Sequence, residues 1–289
     1  MNTPTTRFTV LDETHRHPEL SAHLTAILHT VAPIVRETTG LPLPAEVRFR
    51  LLTPRAWRAA VRQNNERIVA RDIADLELTP TEITTLRYAL KIAGFIPVLT
   101  WPLIGAQIME AADGRTEAVL APRSLQHSGY LTNEQCLTQM AAHELVHHAQ
   151  FAARGPIVWE TLLHERRGLS RHGGMTVLEG HATWADRQVT TRLYGAPVNH
   201  TEQAKRSWRY RLHANIPGMS KLGPRRAFYE QGAQLIAQAV DTYGIDVLNR
   251  VWTDTSLLPT TEEITAPDTW ARRLAAADPD LAIDPAEQS

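Results

Sequence analysis

Apolar and polar residues follow two different periods in the N-terminal part of the chain. From Ala22 the apolar residues recur at helical spacing, and this stretch ends at Gly40, a residue type that commonly terminates helices. Over residues 47–51 apolar and polar residues alternate, as they do in a half-buried strand. The pattern predicts a helix followed by a strand, and therefore a mixed α+β region.

Threonine followed by proline marks the start of two further helices. Proline fits the first helical turn, and the preceding threonine can accept a hydrogen bond from a backbone N–H of that turn. Thr53 precedes one such proline. Thr79 precedes another, and Glu82 completes a capping-box sequence there, which predicts a helix through about Ala93.

Two apolar segments follow these helices. Residues 116–125 predict a short strand and then a turn at Pro122. Residues 92–109 form an uncharged run near the minimum length for a membrane span, but prolines and glycines interrupt it. We therefore expect this run to form buried core that is broken by a turn.

The most regular helical pattern in the chain contains the sequence AAHELVHHAQF at residues 141–151. A capping residue, Thr132 or Asn133, precedes it, and the pattern ends before Gly155. These signals predict one long helix with the histidines near its middle.

Three residues of this helix form the motif HExxH. Side chains at i and i+4 lie on one helix face, so His143 and His147 can bind one metal ion. Glu144 can then act as a general base toward a bound water. His148 points about 100° away from His147 and is expected to be structural. Catalytic zinc usually has three protein ligands, so the third must come from elsewhere.

A second predicted helix is the best source of that ligand. Thr176 is its expected cap, residues 172–174 form a flexible turn before it, and it extends to about Tyr194. Glu179 and His181 are both candidates, but they lie about 200° apart on the helix and cannot both bind one ion. Glu179 also fits a capping box with Thr176, an interpretation that needs no metal.

Small and acidic residues surround these candidates. Gly180 and Ala182 would let the second helix approach the HExxH helix closely. Asp186 follows Glu179 by two helical turns and shares its face, so it could orient a metal-binding imidazole through a hydrogen bond. The sequence therefore predicts a site where the two helices meet.

Composition narrows the possible chemistry. Apolar residues make up 43% of the 289-residue chain and charged residues 21%, as in a folded globular protein. The net charge of −1 provides no general attraction to nucleic acid or to a membrane surface. Cys136 is the single cysteine, so a metal site must use His, Asp or Glu. We expect this cysteine to lie in the core. The N-terminus carries no secretory signal, which predicts a cytoplasmic protein.

One stretch departs from this charge balance. Residues 205–226 contain seven basic residues, two interleaved aromatic residues and no acidic residue. Such a stretch could bind phosphates or an acidic peptide, but a solvated basic helix face is the commoner explanation. We therefore expect neither nucleic acid nor a membrane among the partners.

Three blocks of the sequence occur in the same order as the motifs of a known family. They are HELVHHAQF at residues 143–151, MTVLEGHATWAD at residues 175–186, and a longer block at residues 229–274. The chain resembles the zincin-like metallopeptidases of the second type, a group of largely uncharacterised actinobacterial proteins, some of them associated with deazaflavin-coenzyme biosynthesis. With GAQIME and AVLAPRSL upstream, the resemblance covers about residues 105–274.

The resemblance implies a set of roles. His143, His147 and Glu179 would bind one zinc ion per chain, and Glu144 would be the base that helps to hydrolyse a peptide or amide bond in a peptide or protein substrate. Tyr229, at the start of the last block, is a candidate oxyanion stabiliser, although ordinary aromatic packing also explains a tyrosine there.

The predicted fold is α+β and predominantly helical: a zincin-like metallopeptidase domain with a small sheet and a helical N-terminal extension. We expect an N-terminal region at residues 1–75 packed on the main domain, that domain at residues 76–277, and a disordered acidic tail at residues 278–289. Two alternatives remain open. One is an inactive zinc-binding protein that acts in binding or maturation of a partner, and the other is a protein without metal whose histidines are core residues. The oligomeric state is also open.

Overall fold

The computed structural model describes residues 6–199, 203–216 and 226–277. The strands are β1 (Arg7–Asp12), β2 (Glu46–Leu51), β3 (Ala106–Glu110) and β4 (Thr116–Leu120). The helices are α1 (Pro18–Thr39), α2 (Pro54–Asp75), α3 (Pro80–Ala93), α4 (Ile96–Thr100), α5 (Pro122–Ser128), α6 (Glu134–Arg154), α7 (Arg171–Tyr194), α8 (Trp208–Ala214), α9 (Arg226–Tyr243), α10 (Ile245–Asn249), α11 (Thr261–Thr265) and α12 (Pro267–Ala276). The predicted acidic tail lies outside the described residues.

The four strands form one mixed sheet in the order β1-β2-β4-β3. β2 pairs in parallel with β1 and with β4, whereas β3 is antiparallel to β4. As the alternation predicted, Val47, Phe49 and Leu51 of β2 are fully buried. The small sheet and the many helices confirm the predicted fold class, a predominantly helical α+β protein.

One large core joins the two ends of the chain. It contains residues of α1 together with residues of α6, α7 and α12. At its rim the side-chain amide of Asn249 donates a hydrogen bond of 2.8 Å to the carbonyl oxygen of Thr39, which is 210 positions away in the sequence. The sheet also combines strands from both sides of residue 75: β1 and β2 precede it in the sequence, and β3 and β4 follow it. The domain boundary predicted at this residue stays a prediction.

The HExxH helix, α6, has the predicted ends. Asn133 is the cap, and its side-chain oxygen accepts a hydrogen bond of 3.1 Å from the backbone N–H of Cys136. The helix ends at Arg154, directly before Gly155. It packs against α1, β3 and β4 as well as α7, so 15 of its 21 residues are buried. This position places the motif histidines inside the protein rather than on a solvated face.

Two predicted turns are helical instead. Pro122 begins α5, because proline is already suited to the first helical turn. α7 begins five residues before the expected cap, since the Ser170 hydroxyl accepts a hydrogen bond of 3.0 Å from Gly173 N. Thr176 is therefore a buried residue inside α7, and the predicted capping box with Glu179 is wrong.

The apolar run at residues 92–109 is not buried core over its first half. Ile92, Phe95, Val98 and Leu99 are exposed, whereas Met109 in β3 is buried. By length and composition alone, Pro80–Thr100 could cross a membrane, and 17% of its most apolar window is buried. The prediction failed because α3 and α4 turn only one face toward the rest of the protein.

Candidate metal centre

Side chains from α6 and α7 converge on one point. The Nε2 atoms of His143 and His147 lie 3.2 Å apart. The Oε2 atom of Glu179 lies 3.4 Å from His143 Nε2 and 3.7 Å from His147 Nε2. Across residues 6–199, 203–216 and 226–277, these three side chains are the group of His and acidic residues found close enough to hold a metal ion.

The ring of His143 is held from behind by Asp186. The two are joined by a contact of 2.9 Å between His143 Nδ1 and Asp186 Oδ2. The other carboxylate oxygen of Asp186 accepts a hydrogen bond of 3.0 Å from Gln139. Burial opposes a charged ring, but the hydrogen bonds with Asp186 and Glu179 raise the pKa of His143 to about 10. Asp186 therefore has the orienting position that its place on the helix predicted.

The ring of His147 is held in the same way by Gln150. Gln150 Nε2 donates to the Leu178 carbonyl oxygen at 3.0 Å, so its other side-chain atom, Oε1, is an acceptor. That oxygen lies 2.7 Å from His147 Nδ1. The Nδ1 atom of His147 must then carry the proton, and its Nε2 atom carries a lone pair that faces the centre.

This arrangement fits a bound cation. The two Nε2 atoms and a carboxylate oxygen face one another at 3.2 to 3.7 Å, and without a metal a proton on His143 Nε2 can lie between them, since the pKa of His143 is raised. A metal cation can take the place of that proton, because all three atoms can then direct a lone pair at it. In tetrahedral zinc sites with bonds of about 2.0–2.1 Å, ligand atoms lie roughly 3.3–3.4 Å apart. The three side chains therefore match the donor set and the spacing that zinc requires.

Glu144 lies beside these ligands. Its side chain is buried, and its Oε2 atom has no hydrogen-bond partner among the described residues. Burial raises the pKa of Glu144, while the nearby His147 and His143 oppose this shift. A buried carboxylate with an unused oxygen next to a metal position is suited to accept a proton.

A glycine pair brings α9 against α7. A Cβ atom added to Gly180 would lie 2.3 Å from the carbonyl carbon of Gly232, so the two backbones are in direct contact. Small residues at this position were expected to admit the HExxH helix, but Gly180 instead meets α9. Tyr229 lies one turn before Gly232, and this contact therefore brings it next to Glu179.

Tyr229 lies beside the centre, against His143. Its ring stacks on that of His143 with a centroid distance of 6.1 Å and an interplanar angle of 29°. Glu179 lies close enough to the side chain of Tyr229 to contribute to the pKa shift of the tyrosine. Burial and the charges of Glu179 and Glu144 raise the pKa of Tyr229 well above its usual range, which keeps the hydroxyl protonated.

Two other histidines lie outside the centre. His181, the alternative third ligand, is fully buried and packs against Trp184 and Trp252. His148 stacks on Phe49. Burial lowers the pKa of each to about 3, so both rings are neutral core groups.

Gln139 and Gln150 are the residues of the centre that the motif did not reveal. Gln139 precedes His143 by four residues on α6 and hydrogen-bonds to the Asp186 that contacts this histidine. Gln150 follows His147 by three residues and contacts its Nδ1 atom directly. The helical spacing relative to His143 and His147 was a signal that could have found them. Cys136, one turn before Met140 on the same helix, is buried as expected.

The comparison with protein families gives a match to the zincin-like metallopeptidase model over residues 169–271. This segment contains Glu179 and Tyr229 but not the HExxH motif. A search of curated proteins finds no match.

A solved structure from Chloroflexus aurantiacus, provisionally described as a hydrolase with a novel fold, is similar with a TM-score of 0.58. It shares 19% sequence identity, and the match covers 90% of this chain and 91% of that one. At this identity the similarity establishes the fold alone. Over residues 169–271 the chain matches the zincin-like metallopeptidase family, which confirms the resemblance predicted from its motifs.

Proposed function

We propose that the protein is a zinc-dependent metallopeptidase or amidohydrolase that cleaves a peptide or amide bond. The observation that carries this proposal is the triangle of His143 Nε2, His147 Nε2 and Glu179 Oε2 beside Glu144, whose Oε2 atom has no hydrogen-bond partner in the described part of the chain. The family match over residues 169–271 supports a hydrolase of this kind. Peptides or proteins are the proposed substrates, and one zinc ion per chain is the proposed cofactor.

The residues of the centre have distinct roles in this proposal. Zinc, when bound by His143, His147 and Glu179, supplies a Lewis acid that polarises the substrate carbonyl and activates water. Glu144 accepts the proton of the attacking water and passes it to the leaving amine. The hydroxyl of Tyr229 donates a hydrogen bond to the oxygen on which negative charge develops.

An inactive zinc-binding protein is the second candidate. It would use the same three ligands, so the metal triangle favours neither candidate. The buried Oε2 atom of Glu144, which has no partner among the residues that the structure describes, favours hydrolysis, because burying a carboxylate oxygen without a hydrogen bond costs free energy that a purely structural site need not spend. A protein without metal would need a proton in place of the cation among His143, His147 and Glu179, so metal analysis separates it from the other two candidates.

Metal analysis and one pair of variants test the proposal. Protein purified without chelators should contain about one zinc ion per chain. Glu144→Gln should keep this zinc but lose hydrolysis of a peptide library by roughly 100-fold or more. The matched control is Glu134→Gln, which changes an exposed glutamate of the same helix and should retain both properties.

Three results would contradict the proposal or part of it. Absence of zinc would remove both zinc-dependent candidates. Wild-type protein that binds zinc but cleaves nothing would favour the inactive candidate. A Glu179→Ala variant with unchanged zinc affinity would show that the third ligand is a different residue.

A further inference from the structure

A stripe of large apolar side chains on α3 and α4 faces solvent. Tyr88, Ile92, Phe95 and Leu99 follow one another at spacings of four, three and four residues, which places them on one helix face. They are 66%, 52%, 72% and 41% exposed. Gly94 and Phe95 keep right-handed helical dihedrals between the two helices, so the stripe continues across the junction.

Helix α8 extends this apolar surface. The ring nitrogen Nδ1 of His213 lies 2.9 Å from the carbonyl oxygen of Leu99, which fixes α8 beside α4. Its Trp208 and Leu212 side chains are 62% and 58% exposed. We call the solvent-facing side chains of α3, α4 and α8 the α3/α8 face. Exposed apolar surface of this extent, on three adjacent helices, is typical of an interaction site.

Apart from Glu82 in the first turn of α3, which pairs with Arg166, the charged residues of the α3/α8 face are basic. Residues 83–109 and 203–216 contain no acidic residue. Exposed basic side chains lie along both segments: Arg87, Lys91, Lys205, Arg209 and Arg211. In the described part of the chain, no acidic side chain lies within ion-pair distance of them. The guanidinium of Arg209 lies 5.1 Å from the centre of the Trp208 ring, so aromatic and basic groups are directly adjacent.

The balanced net charge predicted no membrane partner, but this local surface differs from the rest of the protein, and we propose that the α3/α8 face binds the surface of an anionic lipid bilayer. Apolar and aromatic side chains on one helix face, with basic residues beside them, are the features by which helices lie in the interface of a membrane. Basic residues attract anionic headgroups, and Trp and Phe enter the boundary between headgroups and acyl chains. The charge complementarity with anionic lipid identifies this occupant.

The structure opposes a membrane-spanning arrangement of the same segment. Leu86, Pro97 and Thr100 are buried against the rest of the protein, so one side of α3 and α4 is already covered. The exposed Arg87 and Lys91 would also have to enter the hydrocarbon region. If the protein binds the bilayer surface from outside, Leu86, Pro97 and Thr100 stay covered by protein. Arg87 and Lys91 then stay outside the hydrocarbon region.

A second copy of the chain is a poorer occupant. In a twofold-symmetric dimer through this face, the basic residues of one copy would meet those of the other. Like charges at an interface disfavour association. Anionic lipid removes this repulsion and covers the same apolar area.

Vesicle cosedimentation tests the proposal with the full chain. We expect binding to phosphatidylcholine vesicles that contain phosphatidylglycerol, weak binding to pure phosphatidylcholine, and weaker binding at high salt. Phe95→Glu should weaken binding to the mixed vesicles by roughly 10-fold or more. Lys91→Gln combined with Arg209→Gln should weaken it by roughly 30-fold, at about fivefold per charge.

Leu11→Glu is the matched control for Phe95→Glu, because Leu11 is also an exposed apolar residue, at 42%, but lies on β1, at the opposite edge of the sheet from β3. It should bind as the wild type does. Equal binding to neutral and anionic vesicles, or binding unaffected by Phe95→Glu, would overturn the proposal. So would a dimer, seen by light scattering, that Phe95→Glu dissociates while no vesicle binding occurs. None of these variants changes the metal ligands, so the test is independent of the proposed hydrolysis.

Discussion

The backbones of Gly180 in α7 and Gly232 in α9 are in direct contact. A Cβ atom at Gly180 would lie 2.5 Å from the Gly232 Cα atom, and a Cβ atom at Gly232 would lie 2.4 Å from the Thr176 carbonyl oxygen. Real side-chain carbons do not approach a backbone this closely. The two helices can pack at this distance only because neither residue has a side chain.

Replacing Gly180 should therefore separate α7 from α9. We expect Gly180→Ala to lower the free energy of unfolding by about 1–3 kcal/mol, measured by urea denaturation. Gly174→Ala is the control in the same helix, because an added Cβ there meets only ordinary contacts at 3.9 Å. It should leave stability unchanged or raise it by about 0.5–1 kcal/mol, since alanine favours helix. Equal effects of the two substitutions would contradict the importance of the contact.

Asp186 should strengthen metal binding without touching the metal. Asp186→Asn removes the negative charge behind the His143 ring. We expect zinc affinity to fall by roughly 10-fold to 100-fold, measured by competition with a chromogenic chelator. Asp241→Asn, at an exposed aspartate of α9, should not change the affinity. Unchanged zinc binding by Asp186→Asn would mean that this carboxylate has only a structural role.

The hydroxyl of Tyr229 should act in turnover rather than in metal binding. Tyr229→Phe keeps the ring that stacks on His143 and removes only the donor. Once a peptide that the wild type cleaves has been identified, we expect kcat for its hydrolysis to fall by roughly 100-fold to 1,000-fold. The zinc content should be unchanged. Tyr243→Phe, at the C-terminal end of the same helix, is the control and should keep full activity. Full activity of Tyr229→Phe would assign the tyrosine to packing alone.

Glu263 should make the free energy of unfolding depend on pH. Arg273 donates hydrogen bonds of 2.7 and 2.9 Å to its two carboxylate oxygens, and this interaction lowers the pKa of Glu263 in the folded protein. A lowered folded-state pKa stabilises the protein above the unfolded value of 4.5, and this stabilisation is lost as the pH falls below it. We expect Glu263→Gln to cost about 1–3 kcal/mol at pH 7 and much less at pH 3, measured by urea denaturation.

Asp268→Asn provides the comparison for Glu263. Asp268 is exposed in the first turn of α12. Its substitution should change stability little at either pH. A Glu263→Gln cost that is equal at pH 7 and pH 3 would show that the charge of this carboxylate does not matter.

Helix ends were predictable where a residue acts on its own neighbours. Asn133 and Gly155 delimit α6, and Thr79 with Glu82 forms the predicted capping box, because each effect operates within one turn. The start of α7 was missed for the opposite reason. Gly173 is held within a helix, where a Cβ atom would lie 2.1 Å from the carbonyl oxygen of Pro259, and no local pattern reveals that contact.

The metal-binding pair was predictable, but its surroundings were less so. Helical spacing alone brings His143 and His147 together. The choice between Glu179 and His181 depends on which helix each side of α7 meets, and the motif does not contain this information. Tyr229 reaches the centre through the contact of Gly180 with Gly232, which joins parts of the chain that are far apart in sequence.

The spacing of apolar residues along the sequence also could not predict which apolar stripe would be buried. Tyr88, Ile92 and Phe95 have the spacing of a core-facing helix, yet they face solvent. Hydrophobic pattern identifies an amphipathic helix, but the neighbours of that helix decide what covers it.

The hydrogen bond between Asn249 and Thr39 has a practical consequence for dissecting the protein. It closes the C-terminal helices onto the end of α1, and the segment that matches the family, residues 169–271, contains only one of the two partners. That segment also carries one of the three proposed zinc ligands. Expressed alone, it would expose the apolar faces that α1 and α6 cover, so we expect it to aggregate. The smallest piece worth producing for study must therefore retain both halves of the chain.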